Sequence, residues 1–435
     1  MTRVGAAAGR EATGHGPAAW PVRTARRVDG LPSWAPVALG VLAWAVALAA
    51  VAPLVRGYLT NAPDQRMVDL DVYRTGGLSV LRGQPLYVML TQPPQLLAFT
   101  YPPAAALFAV PLALLPWPAA QLAWVPFIYV PLAVVIWYAF APLVRRAGRL
   151  RLAVFAGLFV ACAYLFPLRD EVRFGQVDMV LLAMAVADCA APVSNTVSNT
   201  DSGTDSGTAP RWPRGTLVGL ATAIKLVPGV FIVYLWLSGR RRAALTAAAT
   251  AAACTLGAWL VLPQDSVTYW TSAIFQTGRL GSNSGTSDQS LRGMLLRAFL
   301  PGTLPGQVWA AVAAVVAVAG FALAGKLARQ GHQGDGIAVT ALLAVLLSPV
   351  SWIHHFVVVV PAIGAILADG RSSRRVAAAA GTAVYFTLTI PWWGQSLLRR
   401  PDVPVVAARI VQDGFGLAAL ALVALIGLLN DPGLE

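Results

Sequence analysis

The sequence predicts an all-α membrane protein built as a polytopic helix bundle. Of its 435 residues, 57% are hydrophobic and only 12% are charged, and the mean hydropathy is +0.65. A soluble chain carries roughly 25% charged residues, so most of this chain must face lipid. Apolar runs near the ~17–25 residues that cross a hydrocarbon core recur along it. Because lipid offers the backbone no hydrogen bonds, these runs must be helices.

The apolar runs divide the chain into about twelve predicted transmembrane helices. Their approximate ranges are 35–56, 101–117, 121–141, 151–167, 174–192, 215–237, 242–262, 307–327, 335–350, 353–369, 375–392 and 410–430. We expect residues 35–435 to form one domain after a disordered cytoplasmic tail over 1–34. A Ser/Thr/Gly/Asn tract at 194–210 indicates a flexible low-complexity loop.

Positively charged residues orient the predicted bundle. Arg23, Arg26 and Arg27 precede the first span and place the N-terminus in the cytoplasm. If successive spans cross the membrane in opposite directions, the arginine clusters at 145–151 and 399–400 fall on the outer side, against the positive-inside rule. One misassigned short span, among those interrupted by proline, would shift the topology locally.

Alternation also decides which loops can carry an outward-facing site. The long stretches 57–100 and 263–306 and the turn at 348–355 all open on the non-cytoplasmic side. The turn at 173–178, which contains Gln176, falls on the cytoplasmic side. We therefore do not expect this turn to be catalytic.

The charge and cysteine content exclude two classes of function. The net charge of +13 arises from short basic clusters scattered between apolar runs, a pattern that fits membrane orientation and contact with anionic headgroups rather than nucleic acid. Cys162, Cys189 and Cys254 all lie inside apolar stretches. They indicate small buried hydrophobic residues, not a disulfide framework or a metal site.

Asp69 is the leading catalytic candidate. If the start of the first outer loop is a helix along the membrane surface, Asp69 shares a face with Val72 and Tyr73. Burying a carboxylate on such an apolar face costs free energy, so its presence there indicates a functional role. Asp71 points about 200° away, beside Arg74 at i+3, and is expected on the wetter side. Two alternatives remain: Asp69 only caps the helix, or the segment is a strand and both aspartates share one face.

Aromatic and histidine side chains lie at the mouths of two predicted spans. Tyr101 precedes two prolines, and it either stacks on a sugar or belongs to an interfacial aromatic belt. His354 and His355 begin a span, where ionisable groups are functional candidates. Adjacent histidines diverge by ~100° on a helix and chelate poorly. A single donor to a phosphate oxygen is the favoured role, and an interfacial pair without a role is the alternative.

Two further groups could bind a phosphate. Gln289, Ser290 and Arg292 lie in a polar run that ends at a predicted helix start, where backbone N–H groups favour anions. The same composition is also that of an ordinary loop. Lys225 lies inside an apolar span, so it either snorkels or has a lipid-phosphate or structural partner.

These motifs occur in a recognisable order. They are Asp69-Leu-Asp-Val-Tyr73, Gly83, Leu86-Tyr87, Tyr101-Pro-Pro, Gly175-Gln176, Ala-Ile-Lys225-Leu-Val-Pro, Gln289-Ser290-Leu and Ser348-Pro-Val-Ser-Trp352-Ile-His354-His355. From about residue 35 onwards the chain resembles the polyprenol-phosphate-mannose-dependent mannosyltransferases of actinobacteria, which are family 87 glycosyltransferases with the GT-C membrane fold. It departs from them in the tract at 194–208 and in Asp178, where asparagine is more often expected.

The resemblance implies an α-mannosyltransferase, and many members form (1→2) links on phosphatidylinositol mannosides, lipomannan or lipoarabinomannan. It also implies that Asp69 is the catalytic base and that His354 and His355 lie near the donor phosphate and sugar. The residues that it places near the same headgroup with less certainty are Gln289, Ser290 and Arg292. Tyr73, Asp71, Tyr101 and Lys225 complete the set of expected substrate-binding residues.

The implied chemistry is consistent with one carboxylate and a few cationic donors. A polyprenyl phosphate mannose is a β-glycoside, so an α product requires inversion, and inversion needs a base for the acceptor hydroxyl. The phosphate leaving group needs charge stabilisation and no general acid. We expect no metal and no cofactor.

The implied partners are the lipid-linked donor, a lipid-linked glycan acceptor and membrane lipids. The expected location is the plasma membrane, with the site on the extracytoplasmic side. An arabinofuranosyltransferase using a polyprenyl phosphate arabinose, or a lipid or solute transporter, would be the alternatives.

Overall fold

The computed structural model describes residues 32–62, 67–190, 212–298 and 306–431. The predicted tail up to residue 31 and the predicted loop at 194–210 lie outside these ranges. The first ten α-helices are α1 (Ala35–Thr60), α2 (Val68–Arg82), α3 (Pro103–Ala113), α4 (Trp117–Ala139), α5 (Ala141–Arg146), α6 (Arg151–Ala163), α7 (Phe166–Phe174), α8 (Asp178–Ala190), α9 (Thr216–Ile224) and α10 (Val230–Leu237).

The second half of the chain is equally helical. Its helices are α11 (Arg241–Val261), α12 (Pro263–Thr271), α13 (Leu291–Ala298), α14 (Gly306–Arg329), α15 (Gln333–Leu347), α16 (Val359–Leu367), α17 (Ser373–Thr387), α18 (Ile390–Leu397), α19 (Val405–Gln412) and α20 (Gly414–Leu428). Short 3₁₀ turns occur at Val227–Gly229, Thr277–Leu280 and Ile353–Val358, among others. The described residues form no named β-strand, only two isolated β-bridges.

Within the described ranges, four helices are long and apolar enough to cross a membrane: α1, α4, α11 and α14. Two bent pairs raise this number to six if each pair is one span, namely α6 with α7, bent by 71°, and α19 with α20, bent by 64°. The all-α polytopic membrane fold is therefore confirmed. The predicted count of twelve spans is not.

The predicted span 101–117 does not cross the bundle, because α3 lies alongside α2. A Cβ on Gly77 of α2 would lie 2.7 Å from the carbonyl oxygen of Ala109 in α3. At the far end of α3, the Arg74 guanidinium donates to the carbonyl of Leu115 at 3.0 and 3.2 Å. Helix α3 thus returns to the level of the first turns of α2, and α4 begins at that same end of the bundle.

This correction resolves the arginine cluster that violated the positive-inside rule. Arg146 donates to the carbonyl of Asp369 at 2.9 Å, and Gly40, near the start of α1, packs against Leu152. The cluster at 145–151 therefore lies at the same end as the start of α1 and the arginines that follow Asp369. We call this the arginine end, and we call the opposite end, which holds Asp69, the Asp69 end.

The predicted span 215–237 is also wrong, because this segment turns back on itself. Near its start, Val218 N donates to the Asp188 carboxylate at 3.0 Å, and just after its end Arg240 donates to the carbonyl of Cys189. Its middle residue, Lys225, contacts Asp178 at the other end of α8. Helices α9 and α10 are therefore two half-length arms of a hairpin that enters from the arginine end.

The hairpin turns where the sequence interrupts the helix. Lys225 adopts an extended conformation with φ −146°, and Pro228 follows in a 3₁₀ turn. Proline removes a backbone donor and ends a helix that reaches it. The interruption places the Lys225 side chain at the tip of the hairpin, at the level of the first residue of α8.

The turn after α7 lies at the Asp69 end and not on the side predicted from the sequence. Met67 N donates to the carbonyl of Arg173 at 2.6 Å, just before α2 begins. Gly175 has φ +69°, and a Cβ there would lie 2.9 Å from side-chain atoms of Leu70 and Met67. Only glycine adopts this conformation at little cost and leaves room for α2. This contact fixes the start of α2, and hence Asp69, against Gln176.

We predict that Gly77→Ala will destabilise the fold and that Gly57→Ala, its matched control, will not. The new methyl group at position 77 would overlap the α3 backbone, and overpacking of this kind costs about 1–3 kcal/mol. At position 57, within α1, a Cβ meets nothing within 4 Å. Thermal unfolding midpoints of the purified proteins in detergent measure the difference. Equal midpoints for the two variants would contradict the close α2–α3 packing.

Candidate active site

A cavity of about 260 Å³ opens at the Asp69 end. Its walls come from α2, the segment before α3, the tip of the α9–α10 hairpin, the loop after α12 and the turn that precedes α16. The chemically active side chains that line it are Asp69, Tyr101, Gln176, Lys225, Arg279, Trp352 and His355. Parts of the chain that are far apart in sequence thus meet around one space.

Asp69 lies in the first turn of α2 and presents its carboxylate to the cavity. Its Oδ2 atom accepts a hydrogen bond from Gln176 Nε2 at 2.8 Å. Among the described residues, none donates to its Oδ1 atom at hydrogen-bond distance. One carboxylate oxygen is therefore held in place while the other is available to a bound molecule.

A hydrogen-bonded chain fixes the orientation of Gln176. Its Oε1 atom accepts from the Tyr73 hydroxyl at 2.7 Å, and the Tyr73 and Tyr101 hydroxyl oxygens lie 3.0 Å apart. Because an ionised carboxylate can only accept, the amide nitrogen must face Asp69, which leaves Oε1 to accept from the Tyr73 hydroxyl. Tyr73 thus supports the carboxylate through Gln176, while Tyr101 lines the cavity itself.

Burial raises the pKa of the Asp69 carboxyl above its ordinary value. The interaction with His354, the hydrogen bond from Gln176 and the charge of Lys225 act in the opposite direction, but burial dominates. A raised carboxyl pKa lies nearer to neutral pH, which suits a group that accepts a proton. The buried surroundings thus increase the basicity that the site can use.

The tip of the α9–α10 hairpin and the turn before α16 bring the Lys225 ammonium and the His355 imidazole together. Lys225 Nζ lies 2.8 and 2.9 Å from the two carboxylate oxygens of Asp178 and 3.2 Å from His355 Nε2. His355 Nδ1 accepts from the backbone N–H of Trp352 at 3.2 Å. Since that nitrogen accepts, the neutral ring carries its proton on Nε2. The 3.2 Å approach of Nε2 to the Lys225 ammonium is then a contact between two N–H donors and not a hydrogen bond, so both groups can donate to an acceptor bound at this point of the cavity wall.

Asp178, His354 and His355 form the only group of three His, Cys, Asp or Glu residues in the described chain whose ligand atoms lie close enough to hold a metal, all within 4.8 Å. The Lys225 ammonium already lies within hydrogen-bond distance of two of these residues. A divalent cation there would be placed against a fixed positive charge. These three side chains are thus better suited to an ion pair with Lys225 than to binding a metal ion.

His354 lies behind the cavity wall. It is 3% exposed, and its ring packs 4.7 Å from that of His355 and 5.1 Å from that of Phe174. Its Nδ1 atom is 3.7 Å from the Asp170 carboxylate. Of the two predicted histidines, His355 is therefore the one that lines the cavity, and His354 supports it.

Gln289 is buried in a protein network away from the cavity wall. Its Nε2 atom donates to the carbonyls of Thr286 and Gln412 at 2.7 and 2.8 Å. Its Oε1 atom accepts from the backbone N–H groups of Phe415 and Gly416, both at 3.1 Å. All four hydrogen bonds that the amide can make are used within the chain. Gln289 holds the second outer loop to α19 and α20.

The remaining predicted residues also lie outside the cavity wall. Ser290 is fully buried, and its hydroxyl accepts from Gly293 N at 3.0 Å. Arg292 does not line the cavity. Asp71 is on the opposite face of α2, as predicted, but its hydroxyl partner is Thr75 at i+4, at 3.4 Å, because Arg74 is held by Leu115.

Comparison with known proteins identifies the family. The model of glycosyltransferase family 87 matches residues 99–349, a range that includes Tyr101, Gln176, Asp178 and Lys225. The chain belongs to glycosyltransferase family 87. The resemblance inferred from the motifs is confirmed, and the chain is a glycosyltransferase.

Curated relatives of this family 87 glycosyltransferase match most of its length. A polyprenol-phosphate-mannose-dependent alpha-(1-2)-phosphatidylinositol mannoside mannosyltransferase of Mycobacterium tuberculosis is 34% identical, over 82% of this chain and 80% of its own. The protein of the same name from Mycolicibacterium smegmatis is 33% identical, over 84% of each chain. A phosphatidylinositol pentamannoside mannosyltransferase from Mycolicibacterium smegmatis is 33% identical, over 75% of this chain and 76% of its own. No solved structure matches the family 87 chain.

Sequence reasoning missed three residues that the structure brings to the site. Gln176 and Asp178 were set aside because alternation placed their turn at the wrong end of the bundle. The signal that could have found them is the violation of the positive-inside rule at 145–151, which marks an error in the preceding spans. Arg279, which lines the cavity and donates to the carbonyl of Tyr87 at 2.6 Å, lies in a loop with no distinguishing pattern.

We predict that Asp69→Asn will stabilise this glycosyltransferase at neutral pH. Because the folded-state pKa of Asp69 is raised, its favourable contribution is present at acid pH and is lost as pH rises through that pKa. The amide removes the buried charge and should gain about 0.5–2 kcal/mol at pH 7–8, a gain that shrinks towards pH 4. Thermal unfolding across this pH range tests it, with the exposed Asp402→Asn as control. A stability difference between Asp69→Asn and the wild type that does not change with pH would contradict the raised pKa of Asp69.

Proposed function

We propose that this protein is an inverting mannosyltransferase that moves mannose from a polyprenyl phosphate mannose to a hydroxyl of a mannosylated lipid, forming an α-(1→2) link. Family membership establishes glycosyl transfer and favours it over transport. The names of the relatives give the donor, the linkage and an acceptor of the phosphatidylinositol mannoside class for those proteins. Transfer of these properties to this chain is the proposal.

The observation that carries the proposal is the arrangement of one cavity. A carboxylate with a raised pKa and one unpaired oxygen lies on one wall, and the N–H donors of Lys225 and His355 lie on another. The carboxylate suits an acceptor hydroxyl, and the donors suit a phosphate. An inverting transfer from a glycosyl phosphate needs both, on opposite sides of the sugar.

The shape of the space beyond Lys225 supports a lipid-linked donor. A narrow crevice shares Lys225, Val227 and His355 with the cavity and continues between apolar side chains. Those side chains include Leu181, Leu182, Pro228, Phe231, Ala344, Val345 and Val358. The crevice measures only about 40 Å³, so it marks the apolar side of the site and does not hold a chain. An amphipathic donor would thus have its sugar in the polar cavity and its phosphate at Lys225 and His355, with its isoprenoid chain leaving on this apolar side.

The transfer is a single displacement. The acceptor oxygen attacks the anomeric carbon from the face opposite the phosphate, and its proton passes to Asp69 Oδ1. The bond from that carbon to the phosphate oxygen breaks, and its electron pair leaves on the polyprenyl phosphate. Lys225, supported by Asp178, and His355 Nε2–H stabilise the charge that develops there. Gln176 keeps the base in place throughout.

The distribution of arginines supports a site on the extracytoplasmic side of the plasma membrane. The arginine end holds Arg146, Arg240 and the cluster at 371–375, which the positive-inside rule places in the cytoplasm. The cavity lies at the opposite end. Donor and acceptor would both be reached from the outer leaflet.

The sugar carried by the donor is the open alternative. A polyprenyl phosphate arabinose would present the same phosphate to Lys225 and His355, so the donor groups alone do not discriminate between mannose and arabinose. Assaying the purified protein with both donors decides the question. Transfer from the arabinose donor alone would overturn the proposal.

We predict that Asp69→Asn will lower kcat by about 10²–10⁴-fold, the contribution of a positioned general base. The Michaelis constant for polyprenyl phosphate mannose should stay within about twofold, because the amide keeps the hydrogen bond from Gln176. Radiolabelled transfer to a lipid-linked mannoside measures both constants. The control is Asp402→Asn, an exposed carboxylate paired with Arg400, which should retain wild-type activity. Retained transfer by Asp69→Asn would remove the proposed base.

We also predict that transfer will not require a divalent metal. The Lys225 ammonium occupies the position between Asp178 and His355 that a metal would need. Treatment with chelator should leave the initial rate unchanged, and added magnesium, manganese or calcium should not increase it. Activity that disappears with chelator and returns with one of these ions would contradict the prediction.

A further inference from the structure

A second recess, of about 230 Å³, lies on the face of α2 opposite the catalytic cavity. Asp71 and Val68 line it from α2, and the loop at 92–95 and Trp117 close it. Asp69 and Asp71, two positions apart in the first turns of α2, therefore face two different spaces. The mechanism above uses only the first of them.

The recess contains both hydrogen-bond donors and acceptors. Asp71 has one oxygen within 3.4 Å of the Thr75 hydroxyl, and among the described residues no donor lies at hydrogen-bond distance from the other. Burial raises the pKa of Asp71, and the neighbouring Arg74 guanidinium opposes this. The side-chain amides of Gln92 and Gln95 add a donor and an acceptor each. The half-buried Trp117 ring supplies a flat apolar surface.

The side chains that line the recess indicate which kind of ligand it can bind. A cation would meet Arg74, an anion would meet Asp71, and a purely apolar group would leave the carboxylate and amides without partners. A neutral molecule with many hydroxyl groups satisfies all of them, since each hydroxyl both donates and accepts. Its C–H face can pack on the indole ring.

We propose that the recess binds a sugar ring of the acceptor glycan other than the ring that receives mannose. This inference rests on the proposed function. The recess is smaller than the ~300–1,000 Å³ of pockets for drug-sized ligands, which fits about one hexose. Helix α2, about 10–12 Å across with its side chains, separates the two spaces. An acceptor with several mannose units is long enough to reach both spaces, and a single mannoside is not.

The experiment compares two acceptors. One is an alkyl mannoside with a single sugar, and the other is a lipid-linked oligomannoside. For the larger acceptor, Asp71→Asn and Gln95→Ala should each raise KM by roughly tenfold, the loss of one good hydrogen bond, with kcat unchanged. The ratio of kcat to KM for the single-sugar acceptor should change less than twofold. Arg82→Ala, at the exposed far end of α2, is the control and should behave as wild type.

A binding measurement keeps this test separate from the proposed function. Saturation-transfer NMR with free mannotriose should show contact in the inactive Asp69→Asn protein and lose most of it when Asp71→Asn is added. If neither KM nor binding responds to Asp71→Asn, or if both acceptors lose kcat equally, the glycan site is refuted. If the wild type transfers no mannose but binds mannotriose through Asp71, the glycan site stands and the proposed function fails.

Discussion

The ion pair between Lys225 and Asp178 is the interaction on which the site depends. It joins the tip of the α9–α10 hairpin to the first residue of α8, and His355 lies 3.2 Å from the same ammonium. Both side chains are largely buried, so removing either partner leaves an uncompensated charge, a change that costs about 3–5 kcal/mol in other proteins. The pair therefore holds three elements together and also supplies the cation that faces the cavity, where we propose that the donor phosphate binds.

Sequence reasoning succeeded where the signal was composition or local periodicity. The apolar composition predicts the membrane fold, and the helical period places Asp69 and Asp71 on opposite faces of α2. It failed where the outcome depends on contacts distant in sequence. An 11-residue apolar helix such as α3 has the composition of a span, yet Gly77 lets it pack beside α2. Hydropathy cannot distinguish these cases, because it measures solvent preference and not direction.

The same limit explains the mixed outcome for the predicted residues of the site. Lys225 within an apolar span and His355 at the start of a span are predicted because ionisable groups at such positions are uncommon, Tyr101 is predicted from its place before the prolines of a span, and all three line the cavity. Gln289 and Ser290 are predicted from a polar run that ends at a helix start and from the family resemblance. Their polarity is used within the chain, in a network that ties the second outer loop to α20. Whether a polar side chain serves a ligand or the fold depends on the partners it finds, which the sequence does not record.

The α9–α10 hairpin has a consequence for how the protein is assembled. Its arms contain nine and eight residues, so neither is long enough to be inserted as an independent span. The hairpin is held in place by its contacts with neighbouring helices such as α8. The position of the Lys225 ammonium in the cavity wall therefore depends on the assembly of the surrounding helices.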